Sequence, residues 1–156
     1  MLKPTDVKTF NKYAHNIFIP YLTRKLQSVT RLDLVWDRYL ADSLKRATRA
    51  KCGRGVRRRV VGAATIPRNW QNFLRVDSNK TELFAFFSDT MIKGYGYEQD
   101  GKTLVVTGDV EVLSKPPLPD LCSVSPCTHE EADSRMLLHV AYSVRNGHKK
   151  IMIFIS

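Results

Sequence analysis

The chain has 156 residues, 43% hydrophobic and 26% charged, enough for one domain (1–156) with a true core. No run approaches the roughly 18 apolar residues of a membrane helix, and the opening MLKPTDVKTF has no apolar signal core, which argues against a membrane or secreted protein and for a nuclear or cytoplasmic one. The formal net charge is +10, and it is unevenly placed. Of 25 Lys and Arg, ten fall between Leu44 and Val76, where there is no Asp or Glu; the remaining 15 balance the 15 acidic residues. Those ten are Lys45, Arg46, Arg49, Lys51, Arg54, Arg57, Arg58, Arg59, Arg68 and Arg75. A localised block of this kind is the electrostatic footprint of a polyanion, so nucleic acid (DNA or RNA) is the expected partner. The competing readings are a solvated loop or an import signal in Gly53–Arg59. Three cysteines, Cys52, Cys122 and Cys127, are too few and odd in number for a disulfide framework.

Val7 to Val29 carries apolar residues at three- and four-residue spacing, which predicts an amphipathic helix with a kink or break at Pro20. Residues 32–37 read as a buried strand ending at Asp37. Asp42-Ser43 can cap a second helix running to about Lys51, stopped by Gly53. The Gly/Arg stretch, a basic loop over 53–68, has little to pack. A short helix is expected around Trp70 and Phe73. A clearer one starts at Ser78 or Asn79, with Leu83, Phe84, Phe87 and Ile92 as its stripe and Gly94 as its stop. Thr103–Thr107 and Val110–Leu113 flank Gly108-Asp109 as a hairpin. After a proline-rich loop, Thr128 begins a third helix that Asn146-Gly147 ends. Lys149 to Ile155 then reads as a strand buried on both faces, as in the middle of a parallel sheet. The order implies an α/β domain with at least two parallel strands.

Two places offer carboxylates that can converge: Asp37 at a strand tip, and Glu130, Glu131 and Asp133 at a helix start. Clustered carboxylates repel unless a cation neutralises them, and Mg²⁺ or Mn²⁺ would accept such ligands and activate a water for phosphodiester attack. The plainer reading is equally chemical. Thr128-His129-Glu130-Glu131 is a capping box, first-turn acids suit the helix dipole, and Glu131 and Arg135 stand at i,i+4. Asp37 by itself is a strand-end cap as readily as a ligand. Cys122-x4-Cys127-x-His129 has no standard zinc spacing and no evident fourth ligand. Trp36, Trp70, Phe73, Phe84, Phe86 and Phe87 read mainly as core, with Trp70, close to Arg68 and Arg75, the one aromatic that could stack on single strands.

Val35-Trp36-Asp37-Arg38-Tyr39, followed by Ser43-Leu44-Lys45 and scattered Arg, resembles the flap-endonuclease (PIN-like) nuclease pattern. His129-Glu130-Glu131-Ala132-Asp133-Ser134-Arg135 resembles that family's acid-Ala-acid helix start. Thr128 to Ile155 is similar to a group of mostly uncharacterised animal proteins with a "HEEADTR" signature, identified as PIN-like, many of whose members look mobile-element-derived. The resemblance covers roughly residues 30–60 and 125–155. It implies an incomplete three-layer, Rossmann-like α/β domain, with a small parallel sheet flanked by helices. It also implies metal ligation by Asp37, Glu131 and Asp133, with Glu130 the alternative if the register slips by one. Lys45 would contact the scissile phosphate, and Arg49 or Lys51 would be a second phosphate contact. The family's Asp-x-Asp pair, expected just after the 149–155 strand, and its first-strand Asp are both missing. The expectation is therefore a truncated nuclease domain that does not cut, or else a non-catalytic nucleic-acid-binding protein using the 44–76 segment.

Overall fold

The computed structural model describes residues 2–40, 55–94, 101–126 and 128–153. The expected first helix is present and stays continuous through Pro20. It consists of α1 (Phe10–Tyr13), a π-helical turn (Ala14–Phe18) and α2 (Ile19–Gln27). Proline clashes with the carbonyl four residues back and donates no hydrogen bond. The wider π turn just before it, in which the Ile19 amide donates to Ala14 five residues back, absorbs that defect without breaking the helix. Lys102 Nζ donates to the carbonyls of Leu26 (3.0 Å), Gln27 (3.2 Å) and Val29 (2.6 Å), satisfying the carboxyl end of α2.

Strand β1 (Arg31–Leu34) is shorter than the expected 32–37 segment. It pairs in parallel with β2 (Thr103–Thr107), Arg31 beside Thr103 through Leu34 beside Val106. Strand β3 (Val112–Lys115) returns antiparallel to β2, so the three-stranded sheet runs β1-β2-β3 and is mixed rather than parallel. The hairpin turn spans 108–111, closed by Gly108 N–H donating to Glu111 at 2.7 Å, so β3 begins later than the alternation implied.

Between β1 and β2 lie α3 (Trp70–Leu74) and α4 (Asp77–Gly94), both where the apolar spacing placed them. The buried stripe of α4 is Leu83, Phe87 and Met91; Phe84 and Ile92 are half-buried. Alternation in the strands builds two cores. Leu104 and Val106 face one side, with Leu32 and Leu34, against Phe10, Tyr13, Phe18, Trp70, Phe73 and Phe87. Val105 and Val112 face the other, against Val124 and Tyr142. Tyr142 belongs to α5 (Ala132–Arg145), so the sheet is flanked by helices on both faces, a small three-layer α/β arrangement.

Helix α5 starts four residues after Thr128, and the expected capping box does not form: Glu131 occupies the cap position with no side-chain cap bond. Its other end is as expected. Gly147 has φ +84°, Gly147 N–H donates to Val144 and His148 N–H to Ser143, which is a Schellman ending. The strand expected over 149–155 is not found among the described residues. Residues 149–153 pair with nothing in the sheet, and Ile151, Met152 and Ile153 are 38, 50 and 53% exposed. An apolar β-rich run becomes a strand only with a ladder partner. Residues 154–156 and the helix expected from 42 to 51 lie outside the described residues. No described helix is long and apolar enough to cross a membrane.

Candidate functional site

The carboxyl ends of the parallel strands β1 and β2 are where an open α/β sheet presents its functional groups. In this chain they are locked to the start of α5. The Trp36 amide donates to Thr107 Oγ1 at 3.1 Å, and the Thr107 hydroxyl donates to the Leu34 carbonyl at 3.2 Å, tying the two strand ends together. Trp36 Nε1 donates to Ser88 Oγ at 2.9 Å, and its ring stacks on Phe84 with centroids 4.5 Å apart, fixing that end to α4. Next, Asp37 Oδ1 accepts from the Ala132 amide at 2.9 Å, and the Arg38 amide donates to the Glu130 carbonyl at 2.8 Å.

Two arginines complete the corner. Arg38 Nε donates to Asp109 Oδ1 at 2.6 Å, and its guanidinium also reaches the Thr128 carbonyl at 3.3 Å. Arg135 is fully buried. It donates to the carbonyls of Trp36 (2.7 Å), Gly108 (2.9 Å) and Asp109 (3.1 Å), so one guanidinium clamps the tip of β1 to the β2-β3 turn. A small cleft of about 80 Å³ opens beside it, lined by Trp36, Asp37, Arg38, Tyr39, Phe84 and Asp109 among others.

The fold therefore brings Asp37 to the helix start that carries Glu130, Glu131 and Asp133. It brings it there as a helix cap: one carboxylate oxygen is taken by an amide, in the role the failed capping box leaves open. Among the described residues, no three His, Cys, Asp or Glu side chains form a group able to hold a metal ion. Cys122 is exposed and free.

Of the expected phosphate-contacting residues, Lys45, Arg46, Arg49, Lys51 and Arg54 lie outside the described residues. Arg57, Arg58, Arg59 and Arg68 are described, and all four are exposed. Their backbone is held far more tightly than a loop with little to pack. Asn79 of α4 is fully buried beneath it. Its Nδ2 donates to the Val56 and Phe73 carbonyls, each at 2.8 Å, and its Oδ1 accepts from the Arg58 amide at 2.9 Å. Glu82, one turn on, accepts from the Val60 amide at 2.9 Å and forms an ion pair with Arg57. Burial pushes the Glu82 carboxyl up, but the Val60 amide, the Arg57 guanidinium and the charge of Arg59 outweigh it and hold it below the usual carboxylate value. Farther along, Asn11 N–H donates to Gly62 at 2.8 Å and Ile66 N–H to Lys8 at 2.9 Å. A Cβ on Gly62 would sit 2.2 Å from the Asn11 side chain, which would have to swing aside. Arg57 is thus consumed by Glu82, while no ion pair involves Arg58, Arg59 or Arg68 among the described residues.

A second polar cluster, unseen in the sequence, lies between β1 and α5. Arg31 donates twice to Asp33 (2.6 and 2.7 Å), and Asp33 Oδ2 is 2.7 Å from His139 Nδ1. Burial raises the Asp33 carboxyl, yet the hydrogen bonds and charges of His139 and Arg31 hold it below its ordinary value. The spacing of Arg135, His139 and Tyr142 was the available signal: an inward face at helical period, although two of its three members are polar.

Compared with known proteins, the chain matches no family model, no curated protein and no solved structure.

Proposed function

We propose that this chain is a non-catalytic nucleic-acid-binding domain of PIN-like build, and that its basic 44–76 segment is the contact surface. The observation that carries this reading is the pinning of residues 55–66. Asn79 and Glu82 hold the backbone in place while Arg58 and Arg59 stay exposed and outside any ion pair among the described residues, with Arg68 just beyond. Guanidinium groups carried on a pinned backbone meet phosphate oxygens with less loss of chain freedom than those of a floppy tail would. Five further cations of the same segment precede it in the sequence.

Binding of this type is electrostatic, so affinity falls steeply with salt and does not depend on a divalent cation. The test is fluorescence anisotropy with labelled single-stranded and duplex DNA and RNA over a salt series, with Mg²⁺ or with EDTA. Arg58→Ala/Arg59→Ala should weaken binding to all sequences alike and flatten the salt slope by about 0.7–0.9 for each phosphate no longer neutralised. Unchanged affinity in that variant would contradict the proposal.

One observation favours a second reading, a divalent-metal-dependent nuclease. Asp37 does meet the helix start bearing Glu131 and Asp133. Here Asp37→Asn is informative, because Asn caps a helix nearly as well but is a poor ligand for Mg²⁺. Cleavage of a labelled strand in Mn²⁺ that Asp37→Asn abolishes would favour the nuclease.

A further inference from the structure

A cleft of about 370 Å³ lies apart from the β1–β2–α5 corner, between the N-terminal segment and the 65–70 turn. Its walls are Lys3, Pro4, Val7, Lys8, Thr65, Ile66, Pro67, Arg68 and Trp70. Three cations, one indole and two prolines line it, and no carboxylate among the described residues does. Lys3, Lys8 and Arg68 are exposed, and none makes an ion pair with an acidic side chain among the described residues. The position is held from both sides, by the antiparallel bridge between Thr9 and Thr65 and by Ile66 N–H donating to the Lys8 carbonyl at 2.9 Å. Trp70 is 7% exposed, and its buried Nε1 has no hydrogen-bond partner among the described residues. Its ring is fixed in place by stacking on Phe73 (4.9 Å, 15°) and by an edge contact with Tyr13.

Three cations that are unpaired among the described residues and line one cleft call for an anion with several acceptor oxygens. The apolar lining residues Pro4, Val7, Ile66 and Pro67 suit a flat, weakly polar body attached to it. The volume falls in the range of small-molecule sites. We infer that this cleft binds a phosphorylated nucleoside, its phosphate held by Lys3, Lys8 and Arg68 and its sugar and base laid against the Pro4/Ile66/Pro67 wall. The ligand is either a free mononucleotide or one nucleotide of a bound single strand. In the second case the inference rests on the binding function proposed above, and gives that surface a pocket for one residue of the strand.

The test is isothermal titration of the whole chain with thymidine and uridine monophosphate, alongside anisotropy with labelled oligothymidylate and oligouridylate. The variants are Lys3→Ala/Lys8→Ala, which lie outside the 44–76 segment, and, as a separate surface, Arg58→Ala/Arg59→Ala. Lys3 and Lys8 are exposed, so far-UV circular dichroism should be unchanged. The expected result is an affinity weaker by about tenfold in the Lys3/Lys8 variant. Weakening for the mononucleotide identifies a free ligand, and weakening for the oligonucleotides alone identifies a strand. Oligonucleotide binding that the Arg58/Arg59 variant weakens, with the cleft variant leaving both mononucleotide and oligonucleotide binding unchanged, overturns this inference while the proposed function stands. Mononucleotide binding without oligonucleotide binding does the reverse. Binding of neither overturns both.

Discussion

The carboxylate of Asp37 accepts a hydrogen bond from the backbone amide of Ala132 at 2.9 Å, across 95 positions of sequence. The segment that follows β1 thus caps α5. A helix start leaves amides unsatisfied, and a carboxylate there also meets the positive end of the helix dipole. Replacing Asp37 with Ala is expected to cost about 1 kcal/mol of stability, and replacing it with Asn only a few tenths. Urea denaturation of the two variants checks this. Equal destabilisation by both would contradict the capping role.

Arg135 is the central clamp of the same corner. Its removal strands three carbonyls and leaves a polar void inside the molecule. Arg135→Leu should cost about 3 kcal/mol or more. Arg135→Lys should rescue little of it, because a single ammonium cannot span carbonyls on two loops as a planar guanidinium does. Thermal melts of the two variants, compared with wild type, decide the point.

Asn79 predicts a local effect. Its side chain bridges α4 to the basic segment through the Val56 and Phe73 carbonyls and the Arg58 amide. Asn79→Ala should destabilise by about 2 kcal/mol and make residues 55–60 the first site of limited proteolysis. Asn79→Asp keeps the acceptor but turns a carboxylate towards two carbonyls, so it should fare no better. Mass spectrometry of the first cleavage fragments reads this directly.

Stability should fall in acid through two named carboxylates. Asp33 and Glu82 both have folded pKa values held below the ordinary one. A depressed folded pKa means the unfolded chain binds protons first. The stabilisation is then fully present above the unfolded value of about 4 and disappears as pH falls through the lower folded values. The denaturation midpoint should therefore drop below about pH 4, and Asp33→Asn should make that drop shallower. A midpoint that instead fell on going from acid to neutral pH would contradict the assignment.

Much of the fold was legible where apolar period and punctuation agreed. Phe10 to Leu26, Trp70 with Phe73, and Leu83 with Phe87 announced their helices, and Gly147 marked an ending. What stayed hidden depended on partners distant in sequence. Nothing in Thr128-His129-Glu130-Glu131 says that Asp37 will do the capping. Hydrophobicity would turn Leu137 and Val144 of α5 inward, yet they are 66 and 58% exposed while Arg135 and His139 are buried, because β1 offers Asp33, and Trp36 and the β2-β3 turn offer bare carbonyls, on that side. The run from Lys149 to Ile153 has the composition of a strand but no partner among the described residues. The candidate site was legible in part: the convergence of Asp37 with the α5 start was anticipated, whereas the anchoring of the basic segment by Asn79 and Glu82 was not.

The most direct test of the proposed binding function is the salt dependence of affinity for a labelled single strand, for wild type and for Arg58→Ala/Arg59→Ala, in EDTA. The expected outcome is affinity that falls linearly on logarithmic axes with rising salt, needs no divalent cation, and has a slope smaller in the variant by about 0.7 for each phosphate that the missing guanidinium groups had neutralised. Absence of binding, or equal slopes for the two proteins, would contradict it.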